Sequence, residues 1–271
     1  MSGPASEYYP QTALMSFTPI NQIHQHLSGL HCYADDRSRA VSAHHFCSCA
    51  PGHETGKVRQ CIIYDSDKAD ARLIGIEYVI HHDIFVSLPE EEKQYWHSHK
   101  YEVESGQLTL KSKNFVPTVA EDVAEQSAMK ELHQANLRQA CWRFFFAGAA
   151  VIAHHFFLPL QTIHTWAIDS SPSLPLGPPR LMMAFTDDAQ VSPSVISTVE
   201  SVEHKSLAHK REIRAKYLDL SYEKADGADQ WEKTGKALEL VSKEKEVIMP
   251  GGEGATWKGK ERLESVLGGK A

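Results

Sequence analysis

Val58-Arg59-Gln60-Cys61-Ile62-Ile63-Tyr64-Asp65 is followed, after a polar break over Asp67 to Ala71, by Arg72-Leu73-Ile74-Gly75-Ile76-Glu77-Tyr78-Val79-Ile80-His81. Both runs are rich in β-branched and aromatic residues, and a short turn joins them. That pattern predicts an antiparallel hairpin. On its N-terminal side, Ile20, Ile23, Leu27 and Leu30 recur at helical spacing, so Ile20 to Tyr33 reads as a helix. Cys49 to Gly56 reads as a polar loop. On the C-terminal side, Leu88-Pro89-Glu90-Glu91-Glu92 carries proline and acids where a helix starts. Tyr95 to Leu110 predicts two more strands, broken at Ser105-Gly106, and Pro117 to Asn136 an amphipathic helix. Ile163 to Asp169 and Arg180 to Thr186 read as strands around a Pro-rich loop, and Ser201 to Tyr222 and Ala237 to Glu246 as helices. The expected fold class is α+β: an antiparallel β-sheet of about five or six strands packed with helices, with a charged helical C-terminal extension. The expected organisation is a flexible tail over residues 1–17, a domain over 18–190, and the extension over 191–271, which is loose from Gly251 onward.

A chain of 271 residues buries enough apolar surface to fold without disulfides. Its net charge of −7 lacks the basic face of a general nucleic-acid binder. The five cysteines are odd in number, and Met1 to Gln11 is polar, without the apolar run of a secretory leader. These features predict free thiols and a cytoplasmic setting. Residues 138–161 form the one strongly hydrophobic block, but its uninterrupted run, Phe144 to Ala153, is ten residues. A membrane-spanning helix needs about 20, so no transmembrane span is expected.

The candidate chemistry centres on Trp96-His97-Ser98-His99-Lys100-Tyr101-Glu102-Val103-Glu104. If this stretch is a strand, His97, His99 and Tyr101 share one face, and Glu102 and Glu104 lie opposite unless a bulge or turn brings them in. His97, His99 and Glu102 are the candidate acid/base residues. His97, His99, His45 and Glu104 are the candidate ligands for a divalent metal, and Trp96, His31 and Tyr78 the candidate lining of an apolar pocket. The plainer reading makes His97 and His99 hydrogen-bonded half-core residues. His44, His45, Cys47 and Cys49 form a second cluster, whose Cys-x-Cys spacing is poor for structural zinc. Cys47 with His45 is a further nucleophile candidate, ranked below the metal. The basic stretch from His204 to Lys216 reads as a solvated helix face that also suits anionic headgroups.

The chain resembles the oil-body-associated protein family, in the manner of a fungal-type relative. The resemblance rests on His31-Cys32-Tyr33-Ala34, His44-His45-Phe46-Cys47, Arg59 to Asp65, Ala71 to Tyr78, Leu88 to Glu92, Trp96-His97-Ser98-His99, Glu102 to Gly106, and Leu174 to Pro179 with Leu181-Met182-Met183, in family order over residues 18–186. It implies a soluble protein able to associate with lipid droplets, and supplies neither a catalytic residue nor a cofactor. Against the family pattern, residues 138–161 read as a hydrophobic insertion. Two functions follow as expectations: an interaction protein whose partner is the lipid-droplet surface or an apolar small molecule, or an enzyme acting on a lipid or terpenoid-like molecule through the histidine-rich site.

Overall fold

The computed structural model describes residues 9–50, 57–113, 116–134, 159–221 and 223–247. The hairpin forms as expected, with β3 (Val58–Tyr64) paired antiparallel to β4 (Leu73–Ile80). The remaining strands are β1 (Gln25–Tyr33), β2 (Ala40–Cys49), β5 (His97–Ser98), β6 (Thr109–Leu110), β7 (Pro159–His164) and β8 (Arg180–Met183). Every pairing is antiparallel, and the sheet closes on itself in the order β1-β2-β3-β4-β7-β8-β1. The expected antiparallel sheet is therefore a barrel, which leaves those six strands without an open edge.

β8 is short and joins β7 to β1 at one end only, at Thr162–His164 and Cys32–Tyr33. At the other end β5 pairs with β7 and β6 with β1. Between β5 and β6 runs a short helix, α3 (Lys100–Ser105), ended by Gly106 at φ 84° in the left-handed region. The stretch expected as two strands is thus strand, helix, strand, and it fills the gap between β7 and β1. Two short helices precede it, α1 (His82–Val86) and α2 (Glu90–Lys93), the second at the predicted proline.

Ile20 to Tyr33 is not a helix: a 3-10 turn over Ile20–Gln22 leads into β1. Leu27 and Tyr33 pack inward, while Leu30 and Cys32 pack outward beneath Phe185 and Val191. A strand buried on both faces loses its two-residue alternation, and here the surviving pattern imitates helical spacing. The inward residues form layers along the barrel. Leu27, Cys47, Cys61 and Val79 lie toward one end, covered by Val103, Leu108 and, from α4 (Thr118–Gln134), Ala128, Met129 and Leu132. Tyr33, Val41, Ala43, Ile63, Ile74 and Met182 lie toward the other. Cys47 and Cys61, opposite each other on β2 and β3, are joined in a disulfide, so the expectation of free thiols is corrected at both positions.

The C-terminal helices are α5 (Pro193–Glu203), α6 (Leu207–Arg214) and α7 (Trp231–Thr234). Val195, Ile196 and Val199 of α5 pack onto the outer face of β1 and β8, and the compact unit reaches Leu240. The helix expected over Ala237 to Glu246 does not form: residues 237–246 carry no regular structure. Of the expected insertion, residues 138–158 lie outside the described residues, and Pro159 to Gln161 belong to β7. The tail over residues 1–8 also lies outside them.

Candidate functional site

Between the two apolar layers lies a polar one. Along β1, His31 falls between Leu27 and Tyr33; along β2, His45 falls between Ala43 and Cys47; along β4, Glu77 falls between Ile74 and Val79. β7 adds Thr162 and His164. Because β1 and β4 are not neighbours, contact between His31 and Glu77 crosses the lumen.

The Nε2 atoms of His31 and His45 are 2.9 Å apart and hydrogen-bonded. The Glu77 carboxylate Oε2 lies 3.6 Å from His31 Nε2 and 3.5 Å from His45 Nε2. The Thr162 hydroxyl donates to the same oxygen at 2.7 Å. His31 Nδ1 is hydrogen-bonded to His164 Nε2 at 2.9 Å. None of these five residues is more than 3% exposed.

The plug adds His97, His99 and Glu102, all buried. Both ring nitrogens of His97 and the Nδ1 of His99 lack a hydrogen-bond partner among the described residues. Glu102 enters the lumen because residues 100–105 are helical, so the strand alternation that placed it opposite His97 and His99 does not apply. Gly29 of β1 lies beside this group: a Cβ built there would be in ordinary contact with Glu102 Oε1 at 3.6 Å and His45 Cε1 at 3.7 Å, and tight only against Leu108 Cδ1 at 3.1 Å.

Burial sets the protonation states. It pushes His31 well below the ordinary imidazole value, and His97 to about 4, His99 to about 3 and His164 to about 3. Burial alone would raise the Glu77 carboxyl, but His45 and its hydrogen bond, then His31 and His99, hold it below the carboxylate range. Burial, reinforced by Glu77 and Asp229, pushes Glu102 well above that range. Among the described residues of the lumen, these shifts leave Glu77 ionised near neutral pH, Glu102 protonated, and the imidazoles of His31, His97, His99 and His164 neutral.

The other sequence candidates lie elsewhere. Glu104 turns to the outside, 2.5 Å from Lys100 Nζ and 3.4 Å from His133 Nε2. Trp96 is buried among Val58, Ile80, Phe85, Ala225 and Ala228, and its Nε1 donates to Glu92. Tyr78 stands on the outer wall, 41% exposed, so Trp96, His31 and Tyr78 do not line one pocket. Cys47 offers no thiol to His45 because it is bonded to Cys61. His44 faces outward to Glu203 at 3.3 Å. Glu77 and His164 were missed, and each carried a signal: a lone acid within a hydrophobic strand, and a histidine after Ile163 on another.

The family model described as "Protein of unknown function (DUF1264)" matches residues 17–144 and 152–218. The chain is 38% identical over 204 residues to oil body-associated protein 1B of Arabidopsis thaliana, covering 75% of this chain and 70% of that protein. It is 37% identical over 202 residues to oil body-associated protein 1A of Zea mays, covering 74% and 71%. It is 33% identical over 236 residues to oil body-associated protein 2A of Zea mays, covering 86% and 80%. No solved structure matches.

Proposed function

The chain belongs to the oil body-associated protein family, and on that premise we propose that it is a peripheral protein of the lipid-droplet surface, held by an apolar patch on the outer wall of its barrel. The carrying observation is the patch itself. Ile76 and Tyr78 of β4 are each 41% exposed, beside half-buried Ile62 and Phe46. Ile20 and Ile23 border the same shallow groove, and Leu14, Met15 and Phe17, just before them in the chain, are exposed. Contiguous apolar surface of this kind marks an interaction site. Among the described residues no helix is long and apolar enough to cross a membrane. A phospholipid monolayer over a neutral-lipid core accepts apolar side chains at its headgroup boundary.

The test is flotation of the purified chain with artificial droplets of triacylglycerol coated with phospholipid. The wild type is expected in the floating layer, and the Ile76→Glu/Tyr78→Glu variant in the aqueous fraction. Failure of the wild type to float, or flotation of the variant at wild-type yield, would overturn the assignment.

A further inference from the structure

The barrel lumen carries a feature that surface docking does not use. Three potential donor atoms, His31 Nε2, His45 Nε2 and Glu77 Oε2, form a triangle with edges of 2.9, 3.5 and 3.6 Å. For metal–ligand bonds of about 2.1 Å, neighbouring donors stand about 3.0 Å apart on an octahedral ion and about 3.4 Å apart on a tetrahedral one. The triangle already has those dimensions, and an ion just off its plane reaches all three atoms at bonding distance.

We infer that His31, His45 and Glu77 hold one divalent first-row transition ion inside the barrel. The surroundings fit. A metal-bound imidazole commonly donates its other N–H to a fixed acceptor; His31, bound through Nε2, presents Nδ1 to His164 at 2.9 Å. A metal-bound carboxylate is commonly hydrogen-bonded in turn, and Thr162 supplies that bond to Glu77. The ion-pair contacts of Glu77 among the described residues are to imidazoles, with no lysine or arginine beside it. A buried carboxylate is costly without a cation, and the ion supplies one. A further independent sign is His97, fully buried with neither ring nitrogen hydrogen-bonded among the described residues. Two imidazoles and one carboxylate select zinc, iron, cobalt or nickel over magnesium or calcium, which prefer all-oxygen shells.

Three protein donors leave coordination positions free, as in metal centres that bind small ligands. The inference is independent of droplet docking, because the triangle lies in the lumen and the patch on the outer wall.

The experiment uses the full chain, stripped with a chelator and titrated with Zn2+ by calorimetry and with Co2+ by visible absorption. One Zn2+ per chain is expected, together with a Co2+ ligand-field spectrum of a nitrogen/oxygen site that Zn2+ erases. Glu77→Gln, which keeps the shape of the side chain, and His45→Ala are each expected to weaken Zn2+ binding about 100-fold or more. The His81→Ala/His82→Ala variant, altered outside the barrel lumen, is expected to bind as the wild type does. Absence of Zn2+ and Co2+ binding by the folded wild type would overturn the inference whatever the variants do. So would undiminished affinity in a folded Glu77→Gln variant.

Discussion

His31 and His164 are 133 residues apart in the chain, yet their imidazoles are hydrogen-bonded at 2.9 Å, Nδ1 to Nε2, inside the barrel. That contact holds the ring plane of His31, and with the proton on Nδ1 it leaves the Nε2 lone pair to face an ion in the triangle. Replacing His164 with Ala removes the support without removing a donor. Zn2+ affinity should fall about 10–100-fold with stoichiometry unchanged, read by calorimetry. Unchanged affinity would mean that His31 is oriented by packing alone.

The metal-free protein should be acid-sensitive. His31, His97, His99 and His164 all bind protons more weakly folded than unfolded, because burial disfavours the imidazolium. The unfolded chain therefore takes up more protons as pH falls below about 6.5, the ordinary imidazole value. The histidine contribution to stability is full above that value and is lost from there down through about 4, the value for His97, against a smaller opposite contribution from the raised Glu102 carboxyl. Urea midpoints across this window should decline steeply in the stripped protein. A flat profile between pH 6.5 and 4 would show that these histidines titrate normally.

Arg214 is buried, bonded to Glu125 of α4, to the Val103 carbonyl and, at 2.7 Å, to the Leu108 carbonyl. It ties α6 and α4 to the segment that plugs the barrel. Glu125→Ala should cost about 3–5 kcal/mol, because it strands a buried guanidinium. Glu125→Leu/Arg214→Met should recover part of that loss, since the buried guanidinium is gone and Lys210, which also bonds Glu125 at 3.0 Å, keeps Asp122 at 2.8 Å. Denaturant titration of the three proteins tests both statements.

Gly75 on β4 faces β7 so closely that an added Cβ would stand 2.5 Å from the Ile163 carbonyl oxygen and 3.0 Å from His164 Cδ2. Backbone cannot yield as a flexible side chain can. Gly75→Ala should destabilise by about 1–3 kcal/mol and also weaken Zn2+ binding, since His164 moves with β7. Stability equal to the wild type would show that the strands separate at little cost.

The hairpin was legible because β3 and β4 are local in sequence and their turn is polar. Closure into a barrel was not legible: it depends on β1 meeting β8, with Cys32 pairing to Met183. His45, His97 and Glu102 were legible as candidates from residue type, and Glu102 enters the lumen through a turn of helix that the neighbouring sequence did not announce. Glu77 and His164 depend on strand phase. Their inward direction follows only once β4 and β7 are aligned, with Gly75 opposite His164 and Glu77 opposite Thr162.

A barrel whose first strand is completed by its last has a consequence for synthesis. β1 emerges from the ribosome about 150 residues before β8, and at about 5–20 residues per second that delay is on the order of ten seconds. Throughout it the Cys32–Tyr33 end of that β1 edge waits for β8, because β6 meets the same edge only at Leu27 and Ser28. The nascent chain should therefore engage holdase chaperones through β1 and β2, and release from them should coincide with translation of the segment that carries Met182 and Met183.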